Sequence, residues 1–227
     1  MLSSFLTYLI CSTVFILLFL AERFENARNS RTLFDILSTR GKLSLLFKKL
    51  FFGIIITGSA TAYWFLSSGD MGLLTNTIPL DSWLLILILL SAAAMITGFV
   101  SAKKIISTGL ISAHVPSTYF NASYLLFRTL FLIGYEFFFR GVLLFRILID
   151  AGEEIAIALN MLLYALLHCF SNRKELIGTI PFGLLLCNVT LFYQSIWPAV
   201  IIHLSLALVH ETMLLNNNRS SIKTVPL

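Results

Sequence analysis

Charge is scarce in this chain: Lys, Arg, Asp and Glu make up 12% of its 227 residues, while 58% are hydrophobic. Soluble domains average about a quarter charged residues, so a water-facing globular domain is excluded as the main body of the chain. Cysteine is scarce too. Cys11, Cys169 and Cys187 lie within or at the ends of apolar segments and form no CxxC pair. That rules out a disulfide or zinc-finger framework and leaves them as small buried hydrophobes. The chain has no HExxH, no GxSxG elbow near its polar residues, no internal repeat and no low-complexity tract. With those motifs missing, a local zinc-protease helix, a serine nucleophile and a repeat architecture lose their support. No basic residue precedes the first apolar run, MLSSFLTYLICS, and no small-residue cleavage site follows it. The segment is therefore expected to be a retained helix and not a cleaved signal.

Long apolar runs are what the chain has. Seven approach the roughly 20 residues needed to span a bilayer, at about 4–21, 46–67, 80–100, 121–149, 154–170, 175–193 and 195–215. The predicted fold class is an all-α, polytopic transmembrane helical bundle. The net charge of +5 does not point to nucleic acid, because the bases sit in short links between apolar runs. Arg23, Arg28, Arg31, Arg40 and Lys42 follow the first run, Lys103 and Lys104 the third, Arg173 and Lys174 the fifth, and Arg219 and Lys223 occupy the tail. The intervening links hold Asp70 and Asp81, then Asp150, Glu153 and Glu154. This alternation predicts seven crossings with the N-terminus outside and the C-terminus in the cytoplasm. The expected organisation is three helices with their loops over 1–119, a helical core over 120–215 and a tail over 216–227. Leu33, Phe34, Ile36 and Leu37 in the first link suit either a surface helix or a solvated loop. The sequons at Asn121 and Asn188 are read as chance matches.

Few strongly polar groups remain at membrane depth: Glu136, Arg140, His168, His203, His210 and Glu211, with Asn160 and Asn188 as weaker candidates. A mid-membrane charge costs about 2.5–3.5 kcal/mol on insertion scales, so these groups must face protein or a water-filled cavity. Glu136 and Arg140 are four residues apart, which places them on one helix face about 6 Å apart along the axis. His203 and His210, seven apart, also share a face. A lone Glu–Arg pair is ordinarily a packing device. Three spans each offering a Glu or His point instead to a shared site. A carboxylate and imidazoles can deprotonate a water and stabilise an oxyanion, hold a metal, or relay protons. Spacing does not choose among these, although a transporter would be expected to show repeats and paired broken helices.

Three stretches then form an ordered set. Tyr135-Glu136-Phe137-Phe138-Phe139-Arg140-Gly141 comes first, Tyr164-Ala165-Leu166-Leu167-His168 second, and the apolar approach to His203 third. This set resembles the CPBP family of intramembrane proteases, which includes CAAX prenyl endopeptidases and bacteriocin-processing or self-immunity proteins. The family carries a Glu-Glu-x-x-x-Arg helix, an aromatic-x-x-x-His helix and a His-x-x-x-Asn helix, and the resemblance covers roughly 120–215. It implies an intramembrane endopeptidase of a bacterial cell membrane, acting on a membrane-associated protein or peptide, lipidated ones included, with no nucleic-acid partner. By resemblance, Glu136, His168 and His203 are catalytic, with Arg140, Tyr135 and His210 supporting. No cofactor is expected; zinc or another divalent metal is the alternative. Two positions depart from the pattern: Tyr135 stands at the family's first Glu, and Ala207 at its Asn. Those departures keep a second reading open, a non-catalytic scaffold or immunity factor of the same fold.

Overall fold

The computed structural model describes residues 2–27, 53, 82–107, 118–170 and 173–222, and all regular structure among them is helical. In chain order the elements are α1 (Leu2–Ala27), α2 (Ser82–Ser107), α3 (Thr118–Glu136), a π-helical turn (Phe137–Leu143), α4 (Leu144–Ala151), α5 (Glu153–Leu167), α6 (Arg173–Tyr193) and α7 (Trp197–Ile222). The expected span 46–67 and the 33–37 surface helix fall outside the described residues.

Three described stretches are long and apolar enough to cross a membrane: Leu84–Ser107, Leu176–Tyr193 and Trp197–Asn216; Phe5–Leu20 is apolar but shorter. They correspond to the third, sixth, seventh and first expected spans. The fifth differs. Helix α5 has 15 residues and stops at Leu167, so it rises only about 22 Å against a hydrocarbon core of about 30 Å. The outward faces of the helices carry apolar side chains, among them Leu85, Ile88, Leu89, Ile96 and Val100 on α2 and Ile155 and Leu162 on α5. Such continuous apolar exposure is the reverse of a water-soluble surface and suits contact with lipid.

The described chain forms two compact units. The first takes in 2–27, 133–170 and 173–200. Its centre is the π turn, where every residue from Tyr135 to Phe145 is buried, with α1, α5 and α6 packed against it. Phe137, Phe138 and Phe139 therefore face protein. Helix α1 offers Thr7, Cys11, Val14 and Leu18 as its buried stripe, spaced four, three and four as one helical face requires. Helix α5 offers Ala156, Asn160, Tyr164 and Leu167 in the same way.

A single residue separates α4 from α5. Gly152 has φ 86° and ψ 171°, a conformation that only glycine adopts cheaply. Its N–H closes α4 on the Leu148 carbonyl, and its own carbonyl accepts from Ala156 to start α5. Glu153 and Glu154 then occupy the first turn of α5, where the helix dipole favours negative charge.

The second unit takes in 82–107, 118–132 and 201–222. Within it, α2 buries Leu87, Ser91, Ala94 and Ala102 along one face. Gly98 shares that face, and a Cβ there would run into the Leu206 carbonyl of α7. Small residues at this spacing let two helix backbones approach in lipid, where no hydrophobic drive brings them together.

Candidate active site

The site is built on the π turn. Glu136 ends α3 and Arg140 lies four residues on, inside the turn; both side chains are wholly buried, and Arg140 Nη1 stands 3.3 Å from Glu136 Oε2. Burying either charge alone is prohibitive, so the pair is tolerated because each neutralises the other. The guanidinium also lies over the Tyr164 ring, with Cζ 4.4 Å from the centroid, and 5.7 Å from the Phe139 centroid. That is a close cation–π contact in a dry setting. Its Nε, Nη1 and Nη2 make no hydrogen bond to the described residues, so the cation keeps donor capacity inside the site. Gly183 of α6 makes the space: a Cβ there would come within 3.1 Å of the Tyr164 ring and 3.7 Å of Arg140 Nη2. Pro181, two residues earlier inside the same helix, lacks the N–H of a regular turn.

Tyr135 is buried and packs its ring on Phe139 at 4.7 Å and on Tyr164 at 5.8 Å. The position that departs from the family pattern is thus inside the aromatic wall beside the ion pair. Asn160, a weaker candidate from the sequence, is wholly buried. Its Nδ2 donates to the Phe139 carbonyl at 2.6 Å, and its Oδ1 accepts from Cys187 Sγ at 3.4 Å. Asn188, the other weaker candidate, is exposed and donates to Leu184 of its own helix, so it stands apart. The three cysteines are unpaired, as the spacing implied, but Cys169 is exposed where the sequence suggested burial.

His168 is the C-cap of α5, with φ −95° and ψ 1°, one step beyond the regular helix. Its ring lies tilted against that of Tyr164, with centroids 4.8 Å apart, and its Nδ1 lies 2.9 Å from the Tyr164 carbonyl. A carbonyl only accepts, so Nδ1 carries the proton and Nε2 presents its lone pair. The motif in which an aromatic precedes the histidine by four thus has a local cause: Tyr164 supplies both the ring under the imidazole and the carbonyl that sets its tautomer.

The remaining candidates belong to the second unit. His203 and His210 are both half-buried on α7. His210 Nδ1 lies 3.4 Å from the Gly98 carbonyl. Glu211 accepts from Arg128 Nε at 2.7 Å, and Arg128 stands 5.5 Å over Phe131. The sequence reading passed over Arg128: its partner lies 83 residues away, beyond any spacing rule. Among the described residues, no three His, Cys, Asp or Glu side chains gather as a metal would require.

A family model described as type II CAAX prenyl endopeptidase, Rce1-like, matches residues 118–209. The match runs from the start of α3 into α7 and includes the π turn, Tyr164 and His168. No curated protein and no solved structure matches the chain. Over residues 118–209 the chain is therefore similar to the Rce1-like type II CAAX prenyl endopeptidases, the protease family that its three motifs resemble.

Proposed function

We propose that the chain is a membrane endopeptidase of the CAAX protease type, hydrolysing a peptide bond of a membrane-associated protein or peptide with a water activated by Glu136 and His168. The observation that carries this reading is a wholly buried carboxylate neutralised by Arg140, inside the segment similar to the Rce1-like family. Packing alone would be served as well by apolar residues of the same volume.

In this mechanism Arg140 orients the Glu136 carboxyl group through their ion pair. Glu136 takes a proton from the water, whose oxygen attacks the scissile carbonyl carbon. The proton then passes to the amine as the C–N bond breaks. His168, with its lone pair on Nε2, accepts from the same water and fixes its approach. By resemblance His203 stabilises the oxyanion, with Tyr135 and His210 supporting. A tyrosine of pKa about 10 is a poor base near neutrality, so the Tyr135 hydroxyl serves as a donor and not as a substitute for the family's first Glu. No step passes through a metal.

A second reading, a non-catalytic scaffold or immunity factor, is favoured by Tyr135 and Ala207 standing where the family has Glu and Asn. One experiment separates the two. The full chain is placed in lipid nanodiscs with a fluorogenic, prenylated CAAX-type peptide. Glu136→Gln, which retains an acceptor for Arg140, and His168→Ala are expected to lower kcat by about 10²-fold or more, the scale of general acid–base catalysis. Tyr135→Phe is expected to cost less than about tenfold on the same reasoning. Thermal melts of each variant verify folding, and a chelator added to the wild type tests the zinc alternative. Undiminished cleavage by Glu136→Gln sinks the hydrolytic assignment, and a folded wild type that cleaves nothing supports the scaffold.

A further inference from the structure

One buried polar side chain is not used by this chemistry. Asn160 lies on the inward stripe of α5, one turn before Tyr164, and joins three elements. Its amide donates to the Phe139 carbonyl in the π turn and accepts from the Cys187 thiol on α6. The orientation of the amide follows from its partners, because the Phe139 carbonyl can only accept and must face the NH2 group.

That carbonyl is also the acceptor for the Leu144 N–H, five residues on. In a regular α-helix it would accept from the residue four on. The wide turn and Asn160 thus converge on one atom, occupying both of its lone pairs. π turns are rare and short, and occur mostly as local interruptions of α-helices at functional sites. Nothing in the composition of Phe137–Leu143, an apolar run with one arginine, favours one, so the support must come from outside the segment. Asn160 supplies it from 21 residues away. Arg140 is the residue next to Phe139. If the turn relaxed to α geometry, the guanidinium would swing relative to Glu136 and leave its place over Tyr164.

We propose that Asn160 is a positioning residue: by pinning the Phe139 carbonyl it holds the π turn open and so aims the Glu136–Arg140 pair. The catalytic part rests on the hydrolytic reading above; the structural part does not. A leucine of nearly the same size fills the same volume without a donor, so packing alone gives no reason for an amide here.

The test uses the full chain in nanodiscs and two readouts. Asn160→Leu is expected to speed amide hydrogen exchange over residues 137–144 by at least about tenfold. On the prenylated peptide it is expected to lower kcat by about 10²-fold, as a misplacement of about 1 Å does, with KM within about twofold. Cys187→Ala removes the other bond of Asn160 but leaves the pinned carbonyl, and is expected to leave the exchange over residues 137–144 within about twofold. Unchanged exchange in Asn160→Leu overturns the proposal. Faster exchange with unchanged kcat overturns its catalytic part. If the wild type cleaves nothing, the hydrolytic reading fails and the exchange readout alone decides whether Asn160 holds the turn. Should Asn160→Leu not fold, Asn160→Ser is scored by the same outcomes, since its short hydroxyl turns back to its own helix.

Discussion

Arg140 is held by one ion pair, two aromatic faces and a gap left by a glycine. The energetics of such a pair are asymmetric. Removing one member strands a buried charge and costs about 3–5 kcal/mol, whereas replacing both by apolar groups is often neutral. Arg140→Met alone is therefore expected to destabilise the protein by about that much, and Glu136→Leu/Arg140→Met to regain most of the loss. Denaturant unfolding in mixed micelles measures both; a double variant no more stable than the single would mean that the pair does not govern stability. At this scale the sequence was partly legible. Glu136 and Arg140 announce each other through a four-residue spacing, and Tyr164 announces His168 in the same way. Asn160 reads only as a weaker candidate and Arg128 not at all, because their partners are a backbone carbonyl 21 residues away and a carboxylate 83 residues away.

The elements around the site owe their geometry to a few positions. The α4–α5 corner rests on Gly152, with a positive φ and no described neighbour within 4 Å of an added Cβ. Gly152→Ala thus meets no steric clash among the described residues, and its cost is conformational, about 1–3 kcal/mol. A thermal melt that does not shift downward would contradict this. Corners of this kind are legible in outline, since Asp150-Ala151-Gly152-Glu153 reads as an interruption between apolar runs. The single-residue width is not legible. Nor is the π turn, because hydrophobic periodicity over seven residues, apolar but for Arg140, does not distinguish a wide turn from a regular one. The end of α5 at Leu167 also lacks the usual signal: Cys169 and Phe170 follow where a glycine or proline would mark a stop.

At the scale of the molecule, the helical class and the membrane setting were readable because charge is scarce and apolar runs are long. Of the seven expected crossings, three match described helices long and apolar enough to cross a membrane, and the span at 46–67 lies outside the described residues. What ties the first unit across the chain is a small polar latch. Tyr8 of α1 donates to Asp150 Oδ2 at 2.7 Å, and Arg146 grips the same carboxylate at 2.6 Å and 3.1 Å. The Tyr8 hydrogen bond first, and then Arg146, hold the Asp150 carboxyl below its ordinary value of 3.8. The latch is thus intact above that value and weakens as pH falls through the lowered one. Tyr8→Phe is expected to speed alkylation of buried Cys11 severalfold, while exposed Cys169 reacts at the same rate in both proteins. Equal protection of Cys11 in both proteins would show that packing alone secures α1. The two ends of the latch are 142 residues apart. At synthesis rates of about 5–20 residues per second, roughly 7–30 s separate the emergence of Tyr8 from that of Asp150. During that interval the inward stripe of α1 has no π turn to pack against. The ribosome's progress, and not the sequence of α1, sets when the first wall of the site can close.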